Sequence, residues 1–255
     1  MITIKSAREI ELMRVSSRIV AQTFEYIKEY IKPGVTTAEL DEKIEKFVLS
    51  QKAYPAFKGL YGFPASACIS IDDEVVHGIP SPERVLEEGQ IISIDVGVRY
   101  QGYYGDAAFT FAVGKVSEEK KQLMNVTWEA LHKGIEQAQV GNRLQDISAT
   151  IQEYAESHGY SVVRELVGHG IGKKLHEDPQ VPNYGKRGRG PLLKAGFTLA
   201  IEPMINMGTE KVYTLSDNWT IVTADHLPSA HYEHTILLAD GAPEILTTHQ
   251  LTPEG

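Results

Sequence analysis

The sequence contains a single cysteine and lacks any long hydrophobic run. Because Cys68 is the only cysteine among 255 residues, a framework of intrachain disulfides is excluded. No run of about 18 apolar residues is present, so we expect no membrane-spanning helix. Basic residues are also in deficit, since 25 Lys and Arg face 34 Asp and Glu and give a formal net charge of −9. This charge argues against DNA or an anionic membrane as a partner.

The start of the chain lacks the pattern of a secretory signal peptide. Met1–Ser6 leads directly into a charged helical pattern, without a basic start or an apolar stretch. The scarcity of cysteine fits a reducing compartment, and we expect a cytoplasmic protein. The remaining composition, 42% hydrophobic and 23% charged, is that of an ordinary globular protein.

Two segments of the chain resemble each other in order and spacing. Ser6 and Ser117 each open the pattern of a long helix. A glycine turn and a second amphipathic pattern follow in both segments, at Gly34 and at Gly141. The offset between the two segments shortens from the first helix to the second by about one helical turn. The alternative is a chance likeness between two amphipathic helix pairs, because the identities are few.

Stretches rich in β-branched residues follow each helix pair. Strands are predicted over residues 67–71, 90–98, 109–113, 161–167, 197–202, 220–223 and 231–239. No linker or low-complexity segment divides the chain. We therefore predict one α+β domain over residues 1–255, built from two related halves at 6–113 and 117–240 that share a core.

Two aspartates belong to a predicted hairpin. Asp95 stands in the middle of the apolar strand Ile91–Val98, where a buried carboxylate is costly unless something compensates it. If Tyr100 and Gln101 form a two-residue loop, Asp95 lies directly opposite Asp106 on one face of the sheet. Two carboxylates that close repel each other unless one is protonated or a cation lies between them.

Further acids and histidines stand in similar strand-like or glycine-rich contexts: Glu202, Glu233, His77, His169 and His176. Four carboxylates and one imidazole form a hard, oxygen-rich ligand set that suits Mn, Fe(II), Co(II) or Zn. Bridging acids are able to hold two ions about 3.5–4 Å apart. The residues alone leave a second interpretation open, in which each acid has a separate role in an ion pair or a turn.

These motifs together resemble the type I methionine aminopeptidases. The resemblance rests on Gly168–Gly172, Leu175–Pro179, Ile201–Pro203, His231–Thr235, Val76–Pro80 and the Asp95/Asp106 pair. It runs in order from Ser6 to about Thr247, and the combined set is highly specific. It implies the pita-bread (creatinase/aminopeptidase-like) fold, in which two pseudo-symmetric α+β halves surround a curved antiparallel sheet with helices outside.

The resemblance implies two divalent metal ions per chain. Asp106 and Glu233 match the carboxylates that bridge both metals. Asp95 matches a chelating ligand of one metal, and His169 and Glu202 match ligands of the other. The ions would be Co, Mn, Fe, Zn or Ni, and the sequence does not select among them.

The resemblance also implies catalytic roles for two further histidines. His77 matches a histidine that contacts the substrate near the scissile nitrogen, and His176 matches one that helps to stabilise the tetrahedral intermediate. Glu202 is implied to move a proton as well as to bind metal.

The same resemblance implies an apolar pocket for the methionine side chain. Phe63, Cys68 and Trp219 match positions that line it, although a buried cysteine such as Cys68 equally suits simple packing. Three positions, Leu60, Tyr61 and Leu175, depart from the residues common in the family, so the shape of the pocket is not predicted.

The implied reaction is the hydrolytic removal of the N-terminal initiator methionine from nascent proteins by metal-activated water. The family pattern implies a preference for a small second residue. Monomers are usual in the family. A nascent-chain substrate favours transient contact with the ribosome, although this acidic chain offers no obvious patch for ribosomal RNA.

Several rival functions fit parts of this pattern. Prolidases and aminopeptidase P resemble the catalytic half, but they usually carry a large N-terminal domain for which the segment before Asp95 is too short. A type II methionine aminopeptidase usually carries a helical insertion, and the short gaps from His176 to Glu202 and from Glu202 to Glu233 leave little space for it. A non-catalytic binding protein or a hydrolase of a non-peptide substrate also stays open.

Overall fold

The computed structural model describes residues 2–253. In this range four helices stand out: α1 (Ala7–Lys28), α2 (Thr37–Ser50), α3 (Glu118–Glu136) and α4 (Leu144–Ser157). A short 3₁₀ turn covers Leu60–Gly62. Among residues 2–253, none of the helices has the length and apolar character needed to cross a membrane.

Side-chain caps fix where the helices begin. The Ser6 hydroxyl accepts from the Glu9 N–H while the Glu9 carboxylate accepts from the Ser6 N–H, and Thr36 and Glu39 repeat this capping box before α2. Ser117 caps α3 with its side chain alone, by accepting from the Lys120 N–H.

A long helix followed by a shorter one occurs twice along the chain. A long helix, α1 or α3, is followed in each half by a helix of 14 residues, α2 or α4. The spacing within the second pair is shorter, mostly because α3 has 19 residues and α1 has 22. The two segments that resemble each other in sequence therefore form corresponding helix pairs.

Strands follow each helix pair, and every pairing between them is antiparallel. The first group is β1 (Tyr54–Pro55), β2 (Cys68–Ile71), β3 (Glu74–Val76), β4 (Ile91–Tyr100) and β5 (Tyr103–Ala112). The second group is β6 (Ser161–Val162), β7 (Val167–Gly170), β8 (Glu177–Pro182), β9 (Thr198–Ile201), β10 (Met204–Asn206), β11 (Val212–Thr214), β12 (Ile221–Thr223), β13 (Ser229–His231), β14 (His234–Leu237) and β15 (Glu244–Ile245).

Two larger sheets carry most of these strands. One has the order β1-β4-β2 with β5 on β4, and the other has the order β15-β14-β9-β7-β8. Two three-stranded sheets have the orders β13-β10-β6 and β11-β12-β3. The pairing of β3 with β12 joins a strand of the first group to one of the second. The predicted α+β class is therefore confirmed.

The β4–β5 hairpin corrects the predicted register. Tyr100 pairs with Tyr103, so Gln101 and Gly102 form the loop, and Asp95 pairs with Ala108. Asp106 lies opposite Gly97, two residues from the predicted partner. Because the shift is an even number of residues, both aspartates still point to the same face. Left-handed backbone at Gln101 (φ 47°) and Gly102 (φ 84°) suits this tight turn.

Two predicted strands are broken. The stretch 161–167 contains β6 and only the first residue of β7, and 231–239 is divided between β13 and β14. The second break falls at Tyr232 and Glu233. The Glu233 N–H donates instead to the Ala108 carbonyl on β5, at 2.9 Å.

The main core lies between the helices and the sheets and contains residues of both halves. Phe24 of α1 is fully buried, and its ring contacts those of Phe109 and Phe111 on β5 at 6.4 Å between centroids. Burying a side chain of this size contributes roughly 1.5–3 kcal/mol. This packing holds the β4–β5 hairpin against the outer helix.

Hydrogen bonds of buried threonines connect the two halves beside the hairpin. The Thr235 hydroxyl donates to the Asp106 carbonyl at 2.7 Å and accepts from the Asp106 N–H at 3.1 Å. The Thr110 hydroxyl likewise donates to the His231 carbonyl and accepts from the His231 N–H. These bonds fix β5 against the segment 231–235.

Candidate active site

The β4–β5 hairpin contributes two acids to the centre of the molecule. Asp106 is buried and Asp95 is half-buried, and they share one face of the hairpin. Gly97 lies opposite Asp106, where a Cβ atom would approach the Phe57 ring to 2.6 Å. The absence of a side chain at Gly97 therefore leaves room for the Phe57 ring.

The second half contributes three residues from separate strands. His169 lies in β7, Glu202 directly follows β9, and Glu233 directly precedes β14. Because β9 pairs with both β7 and β14, the three side chains converge at one end of this sheet. His169 and Glu233 are buried.

These residues come within ligand distance of one another. His169 Nε2 lies 3.8 Å from Asp106 Oδ2 and 3.6 Å from Glu202 Oε1. Asp106, His169 and Glu233 each offer one potential ligand atom, and these three atoms lie within 4.8 Å of one another. Asp95 falls outside that triad but lines the same cavity.

Several polar atoms of this cluster are buried without a hydrogen-bond partner in the described part of the chain: Asp95 Oδ1, Asp106 Oδ1, Glu233 Oε1 and His231 Nε2. Burial and the neighbouring Asp106 raise the pKa of Asp95 and of Glu233 well above the usual range. Burial and Asp106 likewise raise the pKa of Glu202, and burial raises that of Asp106 to about 7. Bringing four carboxylates together in this way requires protons or cations to compensate them.

The donor set fits divalent cations. Two such ions would neutralise four carboxylates, and the unpartnered oxygens are the ligand type that these ions prefer. The His169 Nδ1 atom lies 2.9 Å from the Gly170 carbonyl, which favours a proton on Nδ1 and leaves the Nε2 lone pair toward the acids. Burial lowers the pKa of His169 to about 4, so its ring is neutral at neutral pH, as a ligand must be.

His77 stands beside this cluster at the end of β3. Its backbone is left-handed (φ 60°), a strained conformation for a residue other than glycine. A Cβ atom at Gly78 would lie 2.2 Å from the Ile69 carbonyl oxygen, so the turn after His77 needs glycine. Burial lowers the pKa of His77 to about 4, and the ring is neutral at neutral pH.

His176 lies on an irregular loop beside the cluster. Its ring contacts that of His169 edge-on, at 4.5 Å between centroids. The next residue, Glu177, holds the loop, because its carboxylate accepts from Lys5 Nζ at 2.8 Å and from the Lys174 N–H at 3.1 Å. Burial lowers the pKa of His176.

An apolar cavity of about 150 Å³ opens directly onto the acids. Phe63, Cys68 and Trp219 line it, and the Phe63 and Trp219 rings meet edge-to-face at 5.1 Å. Burial and the nearby Asp95 raise the pKa of the Cys68 thiol well above its usual range, so the thiol stays protonated. The cavity wall also contains all three departures from the family pattern, Leu60, Tyr61 and Leu175.

A larger, open cleft of about 800 Å³ meets the same acids from another side. His77, Leu166, Met204 and Glu202 line it, together with His231. His231 was missed in the sequence analysis, although the signal was present: residues two apart on a strand share a face, and His231 precedes Glu233 by two.

Comparison with known proteins gives a consistent result. A sequence profile of metallopeptidase family M24 matches residues 11–240. A methionine aminopeptidase of Clostridium acetobutylicum is 57% identical over 247 residues, which cover 97% of this chain and 99% of that protein. The crystal structure of methionine aminopeptidase from Thermotoga maritima is similar with a TM-score of 0.96 at 46% identity, and the match covers 97% of this chain and 100% of that one. A prolidase from Pyrococcus horikoshii has a TM-score of 0.80 at 25% identity; the match covers 98% of this chain and 65% of the prolidase.

The chain therefore belongs to metallopeptidase family M24, and the predicted pita-bread fold is confirmed. The near full-length relatives at 57% and 46% identity are both methionine aminopeptidases. This chain is a methionine aminopeptidase as well, a metal-dependent exopeptidase.

Proposed function

We propose that the enzyme removes the initiator methionine from nascent proteins with a preference for a small second residue, using two divalent ions. Asp95, Asp106, His169, Glu202 and Glu233 would hold the ions. The observation that carries this proposal is the group of buried, unpartnered carboxylate oxygens around the His169 Nε2 atom. Bound ions of this kind supply Lewis acidity and lower the pKa of a water molecule to near 7.

Glu202 is the proposed proton carrier. It lies at the junction of the apolar cavity and the open cleft, where a peptide bond would have to lie to be cut. One Glu202 oxygen would accept a proton from the attacking water and return it to the leaving amide nitrogen. Burial and Asp106 raise the pKa of Glu202, and a carboxyl group that holds a proton more readily is better suited to returning it.

The two histidines beside the acids have proposed hydrogen-bonding roles. A neutral imidazole carries one N–H, so His77 would donate to the substrate near the scissile nitrogen. His176 would donate to the oxygen that becomes negatively charged in the tetrahedral intermediate. Such preorganised donors contribute several kcal/mol to the stability of a transition state.

The two cavities support the proposed selectivity. A methionine side chain fits the enclosed cavity, where its thioether would contact the Phe63 and Trp219 rings favourably. The second residue would lie in the cleft beside Glu202, where Leu166 and Met204 form part of the wall. A small side chain avoids contact with these bulky residues.

We also propose that the enzyme acts as a cytoplasmic monomer that meets its substrate during translation. The single, buried and unpaired Cys68 is compatible with a reducing compartment. Gel filtration and co-sedimentation with translating ribosomes test the two parts of this proposal.

The decisive experiment measures methionine release from Met-Ala-Ser, Met-Leu-Ser and an Xaa-Pro peptide with added Mn(II) or Co(II). We expect rapid cleavage of Met-Ala-Ser and a rate at least about tenfold lower for Met-Leu-Ser, the discrimination that roughly 1.4 kcal/mol provides. Equal rates would contradict the second-residue preference. Preferred cleavage of the Xaa-Pro peptide would indicate the specificity of a prolidase instead.

A further inference from the structure

A second imidazole, His231, faces the same carboxylate as His169. His231 Nε2 lies 3.7 Å from Glu202 Oε2, while His169 Nε2 lies 3.6 Å from Glu202 Oε1. Glu202 therefore stands between two ring nitrogens, with one oxygen directed toward each. The two histidines have almost the same separation from this acid.

These separations match those between two ligands of one ion. They exceed the length of a hydrogen bond. Metal–nitrogen and metal–oxygen bonds of about 2.1 Å place two ligands of one ion at most about 4.2 Å apart. One potential ligand atom each from Glu202, His231 and Glu233 lie within 4.8 Å of one another, a spread that small side-chain shifts would close.

The backbone of His231 is held in place, but its Nε2 atom has no hydrogen-bond partner among the described residues. The residue is 1% exposed, and Nε2 makes no hydrogen bond to any residue in the range 2–253. Both backbone groups of His231 bond to the Thr110 hydroxyl, at 2.8 Å and 3.0 Å, which fixes the strand that carries the ring. A buried polar atom without a partner is costly, so a nitrogen directed at two acids indicates that something binds there.

We propose that His231 is a sixth ligand of the metal centre and that its imidazole favours Zn(II), Fe(II) or Ni(II) over Mn(II). This inference rests on the proposed function, since it concerns the same centre. Imidazole suits the former ions, whereas Mn(II) prefers oxygen donors. A neutral imidazole also adds a ligand without changing the balance between four carboxylates and two divalent ions.

Calorimetric titration of the metal-free enzyme with Zn(II) and, separately, with Mn(II) tests the inference. For His231→Leu and His231→Gln we expect the Kd of Zn(II) to rise about tenfold or more. The Kd of Mn(II) should change by less than about threefold, because Mn(II) depends on the carboxylates. In the Co(II)-loaded protein, the visible absorption spectrum should change when the nitrogen donor is removed.

Met204→Leu is the matched control. Met204 pairs directly with His231 between β10 and β13 and lines the same cleft, and leucine keeps it apolar, so the Kd ratio of Zn(II) to Mn(II) should stay unchanged. Thermal unfolding of each metal-free variant shows whether it is folded. If a folded His231→Leu variant keeps the Kd ratio and the Co(II) spectrum of the wild type, this inference is wrong while the proposed function is unaffected. If the wild-type chain binds no divalent ion at all, the proposed metal function fails with it.

Discussion

Each half of the molecule contains a long helix followed by a shorter one, but the two halves build their parts of the site differently. The first half supplies Asp95 and Asp106 from the two strands of one continuous hairpin. The second half supplies His169, Glu202 and Glu233 from three strands, at or beside strand ends. The relative position of the two aspartates depends only on the register of one hairpin. The relative position of His169, Glu202 and Glu233 depends on how a whole sheet is assembled.

The largest expected effect concerns the point where these two groups meet. Asp106 belongs to the hairpin but lies within ligand distance of His169. Asp106→Asn should lower kcat/KM at least about a thousandfold, roughly 4 kcal/mol, because it removes a charge that we propose bridges the two ions. Elemental analysis should show fewer than two ions per chain, and two tightly bound ions in this variant would contradict the bridging role.

A smaller effect is expected for His77, a residue of the first half that we propose serves catalysis without binding metal. His77→Ala should retain the metal content of the wild type but lose about a hundredfold in turnover of Met-Gly-Met, as expected for removal of one hydrogen-bond donor to the transition state. Elemental analysis and steady-state kinetics measure the two properties separately. Turnover equal to that of the wild type would contradict the proposed catalytic role of His77.

Thr235→Val tests the connection between the halves. The change removes both hydrogen bonds of the hydroxyl with the Asp106 backbone, and the free energy of unfolding should fall by about 1–3 kcal/mol. Metal affinity should fall as well, because the Asp106 backbone loses both of these hydrogen bonds.

Thr23→Val is the control. The buried Thr23 hydroxyl bonds only to Ile19 within α1, so its removal should lower stability without changing metal affinity. Equal metal affinity in Thr235→Val and wild type would show that the hairpin positions Asp106 unaided.

The smallest expected effect depends on pH and concerns His249, which contacts the rings of Phe24 and Phe109 in the first half. Burial lowers the pKa of His249 to about 4 from 6.5, so between these values the unfolded chain binds more protons than the folded chain. The free energy of unfolding should therefore fall, by about 1–2 kcal/mol from this residue, as the pH drops from 6.5 toward 4. The free energy of unfolding of His249→Phe, measured by denaturant titration, should depend less on pH. The control variant His158→Phe replaces an exposed histidine and should show the same pH dependence as the wild type. If the free energy of unfolding of His249→Phe depends on pH as steeply as that of the wild type, the effect belongs to other groups.

Local features of the fold could be predicted from sequence, and features set by distant contacts could not. Ser6 and Ser117 marked the starts of the two long helices because capping involves only a few neighbouring residues. The hairpin was placed correctly, but its register was wrong by two residues because the left-handed turn at Gln101 and Gly102 replaced the predicted loop.

The site shows the same division. The acids were detected as carboxylates in apolar runs, an anomaly that a single sequence displays. His231 was not detected, although it precedes Glu233 by two residues, because its distance to Glu202, which directly follows β9, is set only in the assembled fold. The break at Glu233 was also hidden, since it depends on a hydrogen bond to Ala108 in the other half.

The Thr110 and Thr235 bonds between the halves also bear on when the site becomes complete. Neither half alone carries all of the proposed ligands, so a centre that uses all five would bind divalent ions tightly only once the two halves are packed together. Because such ions would bind the folded chain and not the unfolded chain, they would also stabilise the folded form.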